Sequence, residues 1–121
     1  MTASATARLV VELDGLLKPV SFPVGWSTTT TPTKYAQLRQ VQGVADTAEA
    51  LDIGDITTPL LVVLTCVTND VDIDCNYSSS FSADITVNEG EAAVFMPAGT
   101  VYIKNNDAAE ISTVEYLVIG T

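Results

Sequence analysis

From residue 60 onwards, short runs of apolar and β-branched residues alternate with clusters of Pro, Gly, Asn and Asp. That rhythm constrains the fold more than any other feature of the chain. Residues 60–68 (LLVVLTCVT) stop at Asn69-Asp70, and residues 81–87 (FSADITV) stop at Asn88-Glu89-Gly90. Residues 92–96 (AAVFM) stop at Pro97-Ala98-Gly99, and residues 100–104 (TVYIK) stop at Asn105-Asn106-Asp107. The last run is residues 111–119 (ISTVEYLVI). Runs this short and this rich in Val, Ile and Thr read as strands, and the residues between them read as turns.

The same grammar covers the first half less regularly. Residues 8–13 (RLVVEL) read as a strand, Asp14-Gly15 as a hairpin turn, and residues 16–22 as the returning strand, with Pro19 confining it to an edge. Residues 23–33 (PVGWSTTTTPT) read as an extended arm or long loop. Residues 35–41 (YAQLRQV) and 49–53 (EALDI) suit two strands better than one helix, because Gly43 interrupts them and no 3.6-residue stripe is present. Residues 52–59 (DIGDITTP) then form a turn. The expectation is an all-β, single-domain fold: a jelly-roll-like antiparallel β-sandwich of about nine or ten short strands. Residues 1–33 form a hairpin and a Thr/Pro-rich arm within that domain, and residues 34–121 form the sandwich core.

With 121 residues the chain has room for one core. It carries 5 basic and 15 acidic side chains, a net charge of −10. Such a surface repels phosphate backbones and anionic membranes, so neither nucleic acid nor membrane is an expected partner. The longest apolar run, residues 59–67, is too short to span a bilayer. The N-terminal residues lack the basic start and long apolar stretch of a secretory signal.

The chain has no histidine. Ser-His-Asp and Cys-His nucleophilic arrangements and His-ligated metal centres are therefore excluded within one chain. Cys66 and Cys75 are too few for a disulfide scaffold and read as small buried apolar residues, with a cross-strand bridge between them left open.

Two stretches invite a chemical reading. Asp70, Asp72 and Asp74 recur at every second position, as oxygen ligands for calcium would. An EF-hand loop would need glycine where Cys75 stands and glutamate where Phe81 stands. The alternative is the solvated face of a strand whose other face carries Val71, Ile73 and Cys75, with the charges discouraging edge pairing. The second stretch runs from Gly90 to Asn106. Its Pro97-Ala98-Gly99 spacing resembles the second motif of cupins, but Tyr102 stands where a cupin has its histidine ligand. It reads as a structural hairpin in which Pro97 fixes the backbone and Gly99 permits positive φ. No enzyme, metal or cofactor is expected.

The segment from Ala48 to Thr121 is similar to a group of small virion-associated proteins of tailed bacteriophages. The matching positions are Ala50 to Asp55, Thr58-Pro59, Gly90-Glu91, Val94-Phe95, Pro97 and Glu115-Tyr116-Leu117. Asn88-Glu89 departs from the Lys-Pro that the group places before the glycine. The resemblance implies a structural role in the virion, with assembly in the host cytoplasm. It points to a capsid decoration (cement) protein on the outer surface of the head, or alternatively to a tail, baseplate or fibre-associated protein. The implied partners are the major capsid protein or another virion protein, and further copies of the chain in a trimer or dimer. Phe22, Trp26 and Tyr35 are the candidate interface anchors, since large aromatics dominate such contacts.

Overall fold

The computed structural model of the chain describes residues 3–13, 20–27, 30–44 and 47–121, and gives only the backbone at residues 7, 9–13 and 20–27. Every regular element among them is a strand: β1 (Thr6–Leu13), β2 (Val20–Ser27), β3 (Lys34–Gln42), β4 (Glu49–Ala50), β5 (Pro59–Thr68), β6 (Val71–Asp74), β7 (Ile85–Val87), β8 (Ala92–Phe95), β9 (Tyr102–Lys104) and β10 (Ser112–Gly120).

Eight of these strands form two four-stranded sheets, in the orders β3-β10-β5-β8 and β4-β9-β6-β7. The first strand of the sandwich pairs with the last, β4 with β9, β5 with β8, and β6 with β7, all antiparallel. That nesting is a single long hairpin rolled up so that its strands fall alternately into two layers, which is a jelly roll. The expected sandwich is present, with eight strands in its sheets rather than nine or ten.

The core lies between the layers. Val62, Leu64 and Cys66 of β5 alternate inward, as do Val114, Tyr116 and Val118 of β10. From the opposite sheet come Val71, Ile73 and Ile103. Each fully buried aliphatic side chain of this kind contributes about 1.5–3 kcal/mol. Continuous burial of β5 on both faces, which its apolar run leads one to expect, holds only in part. Leu61 is buried on the outward side, but Val63 is half-buried and Thr65 exposed.

The local readings need four corrections. First, the register pairs Leu13 with Val20, whereas a two-residue turn at Asp14-Gly15 would pair Leu13 with Leu16; the turn residues themselves lie outside the described residues. Second, Pro23 to Ser27 is not an arm or loop but part of β2, with Pro23 opposite Val10. A two-stranded ribbon consists of edge strands, where the missing N–H of a proline can face away from the pair. Third, Pro97-Ala98-Gly99 is a turn but not a hairpin, because β8 pairs with β5 in one sheet and β9 with β4 and β6 in the other. The segment is a corner that carries the chain between layers. Gly99 does not have positive φ. Its side of the chain runs close to a neighbour, since a Cβ there would lie 2.2 Å from Asn76 Oδ1, the far end of an exposed side chain. The positive φ belongs to Gly90, at +80°, in the turn before β8.

The fourth correction concerns Asp74, read from its alternation as a solvated residue. It is buried, because the chain after β6 folds back over it. Its carboxylate accepts the N–H groups of Asn76 (3.0 Å) and Ser82 (2.9 Å), which fixes the return.

Two buried acids give the fold an alkaline limit. Burial, with the charges of Asp70 and Glu89 adding to it, pushes the Cys66 thiol from its ordinary 9.0 to about 11. Burial, helped by Asp52, pushes the Tyr116 hydroxyl from 10.0 to about 12. Both groups hold their protons more tightly folded than unfolded. Their contribution is therefore complete below the unfolded values and is lost as pH rises through the folded ones. Urea titrations between pH 8 and 12 should show stability falling progressively across that window. Tyr116→Phe should flatten the upper part of the fall.

Candidate functional site

Two surfaces distinguish themselves: a polar cleft at one end of the second sheet and an apolar face on the outside of the first. The cleft measures about 260 Å³ and is lined by Asn69, Asp70, Asp72, Thr86, Lys104, Asn106 and Asp107 among others. It is the place where the aspartates of residues 70–74 could have formed a cation site. The geometry gives them other work. Asp72 accepts hydrogen bonds from the Thr86 hydroxyl (2.7 Å) and the Asn106 amide (2.5 Å). Asp70 accepts the Glu89 N–H at 3.4 Å, and Asp74 is turned away into its own loop. Asp107 accepts the N–H groups of Ala109 and Glu110, and those bonds hold its carboxyl below the usual range. Among the described residues no three His, Cys, Asp or Glu side chains converge as a metal centre requires.

Behind the cleft sits Asn105, almost fully buried. Its amide donates to Gly43 O (3.0 Å) and Glu110 O (2.8 Å), and its Oδ1 accepts the Asp107 N–H (2.9 Å). One side chain thus ties the end of β3 to the loop before β10. In the sequence this residue is indistinguishable from its neighbour Asn106, since both belong to a turn cluster. Only the packing separates them.

Tyr102, at the position of a cupin histidine, lies between buried Val101 and Ile103 and so faces off the core. It stacks on Tyr77 with ring centroids 3.6 Å apart. Cys66 and Cys75 are free thiols, the first buried and the second half-buried.

The apolar face is built by register. Directly paired residues share a face of a sheet. Outward on the first sheet, one row is Tyr35, Ile119 and Leu61, and the next is Gln37, Leu117, Val63 and Val94. Neither row contains a charge. The third row, Arg39, Glu115, Thr65 and Ala92, ends the apolar region with an exposed ion pair of 3.7 Å. Tyr35 is 72% exposed, and Val94 and Met96 at the edge strand are exposed as well. A groove of about 400 Å³ crosses this end, where Ala3 to Ala5 and Pro32 come alongside Leu117 and Ile119.

Of the three interface candidates, Tyr35 therefore lies on this face. Phe22 and Trp26 lie on β2, opposite Val11 and Ala7 in the register. Leu117, Ile119, Val63 and Val94 were missed as surface residues, because apolar residues in strands read as core. The alternation within 111–119 carried the signal, since Val114, Tyr116 and Val118 already fill the inward positions.

No protein-family model matches the chain, and neither the comparison with curated proteins nor that with solved structures gives a match.

Proposed function

We infer that the chain is a structural protein of a tailed-phage particle and, within it, a capsid decoration protein that binds the outer surface of the head and stabilises it. The observation that carries this reading is the pair of charge-free rows on the outside of the first sheet, set in an otherwise acidic molecule. A flat apolar face serves adhesion to protein. The net charge of −10 keeps the remainder away from packaged nucleic acid.

The positions that resemble virion-associated proteins have architectural roles that suit such a part. Tyr116 donates its hydroxyl to Asp52 O at 2.7 Å, which ties β10 to the turn after β4. Gly90 sits in the turn that feeds β8, with its N–H on Cys66 O at 2.8 Å.

The test is copy number in purified particles, by quantitative mass spectrometry against the major capsid protein. A stoichiometry approaching one per capsid subunit, or a fixed simple fraction of it, is expected. A handful of copies per particle would move the protein to the tail. Absence from particles would overturn the virion role altogether.

A further inference from the structure

The register of β1 and β2 gives their ribbon two unlike faces. Residues that pair directly, and every second residue along a strand, share a face. One set of positions holds Ala7, Leu9, Val11 and Leu13 opposite Trp26, Val24, Phe22 and Val20. All eight are apolar. The other set holds Thr6, Arg8, Val10 and Glu12 opposite Ser27, Gly25, Pro23 and Ser21, which is mostly polar. An amphipathic ribbon of this kind is a half-sandwich that needs a second layer. Among the described residues, β1 and β2 pair only with each other.

The first sheet of the jelly roll offers a layer of the same character. Its charge-free outer rows leave Tyr35 and Val94 exposed in the folded chain. The ribbon joins the body beside that face, since Ala5 and Pro32 border the groove that Leu117 and Ile119 line.

We propose that the ribbon is an exchange arm: its apolar face covers the outer face of the β3-β10-β5-β8 sheet of a second copy of this chain. Three arguments select a second copy. The first is area. Two eight-residue strands present a face of about 26 by 10 Å, and reciprocal exchange buries roughly 1,000 Å² in all, the lower limit for a specific interface. The second is charge. Residues 1–33 hold two basic side chains (Arg8, Lys18) and two acidic ones (Glu12, Asp14), so the whole net charge of −10 belongs to residues 34–121. A neutral arm is the one part of the molecule that can approach another acidic copy without repulsion. The third is geometry. Tyr35 and Val94 stay exposed in the chain that carries the ribbon, so its own arm does not close over them. The exchange occupies the rows on which the proposed function rests, so within that reading they join copies of the chain to one another on the particle. Sedimentation tests the exchange and copy number in particles tests the virion role, and either can fail without the other.

Sedimentation velocity of the purified full-length chain tests it. The wild-type chain should sediment as a dimer or larger closed oligomer. Leu9→Lys with Val11→Lys, on the arm, and Tyr35→Lys with Val94→Lys, on the sheet, should each give monomers with unchanged far-ultraviolet circular dichroism. Lysine lowers the net negative charge, so dissociation cannot be assigned to repulsion. Mixing the two variants should restore one of the two arm–face contacts, about 500 Å², so a heterodimer should form more weakly than the wild-type assembly and grow with concentration. A wild-type chain that stays monomeric overturns the proposal. So does an arm variant that folds and still assembles, or a concentrated mixture of two folded variants that associates no more than either variant alone. If either variant loses its β spectrum, the milder Val11→Ser and Tyr35→Ser variants carry the same mixing test.

Discussion

Gly120→Ala should cost about 3 kcal/mol, the upper end of what overpacking does to a well-packed site. Gly120 closes β10 where it pairs with Lys34 of β3 and Pro59 of β5, at an irregularity in the β5 register. A Cβ there would stand 2.3 Å from Thr58 O, 2.6 Å from Ile56 Cγ2 and 3.1 Å from Pro59 Cα. Two of those neighbours are backbone and the third belongs to a buried core residue, so relief requires moving β5 or the 52–59 turn. The Thr121 N–H to Thr58 O bond (3.1 Å) would be strained in the same movement. The internal control is Gly99→Ala. Its Cβ would meet Asn76 Oδ1, the far end of an exposed side chain that can rotate away. That variant should lose less than about 1 kcal/mol. Urea denaturation of both variants measures the difference, and equal losses would show that the β5–β10 junction yields as easily as a side chain does.

The second large effect is at Asn105. Asn105→Ala leaves Gly43 O and the Asp107 N–H without their side-chain partner and opens a small cavity, a loss of about 3 kcal/mol. Glu110 O keeps the Asn69 amide at 3.3 Å, so that carbonyl is not orphaned. Asn105→Asp is the sharper experiment. It keeps the shape but points a carboxylate at two carbonyl oxygens in a buried place. The introduced carboxyl should have a raised pKa in the folded state, so it binds its proton more tightly folded than unfolded. Relative to wild type, the variant should therefore recover stability as pH falls and lose it as pH rises. A variant as stable as wild type at neutral pH would mean that the amide's donated bonds do not hold this corner.

Much of this architecture is legible in the sequence, and the parts that are not share a physical cause. Turn residues limit φ and ψ over two or three positions, so Pro97-Ala98-Gly99 correctly marks a stop. They carry no information about the next strand's partner. β8 pairs with β5, whose residues lie some thirty positions earlier, and the choice between hairpin and corner rests on that distant contact. Asp74 shows the same limit. Its alternation with Val71 and Ile73 is real, but a fold-back after the strand converts a surface position into a buried cap. Pro23 misleads in the opposite sense, because its penalty applies to central strands and the ribbon has none.

What the sequence determined alone is what depends on neighbours along the chain: an all-β domain, the ends of most strands, the inward Val71 and Ile73 of β6, and a histidine-free chemistry. The pairing of first strand with last, the burial of Asn105 and the tight approach at Gly120 were decided only in three dimensions. So was the emergence of a charge-free sheet face from residues that each read as core. Those features arise where segments distant in sequence meet, and apolar residues outnumber the positions that one core between two sheets can hide.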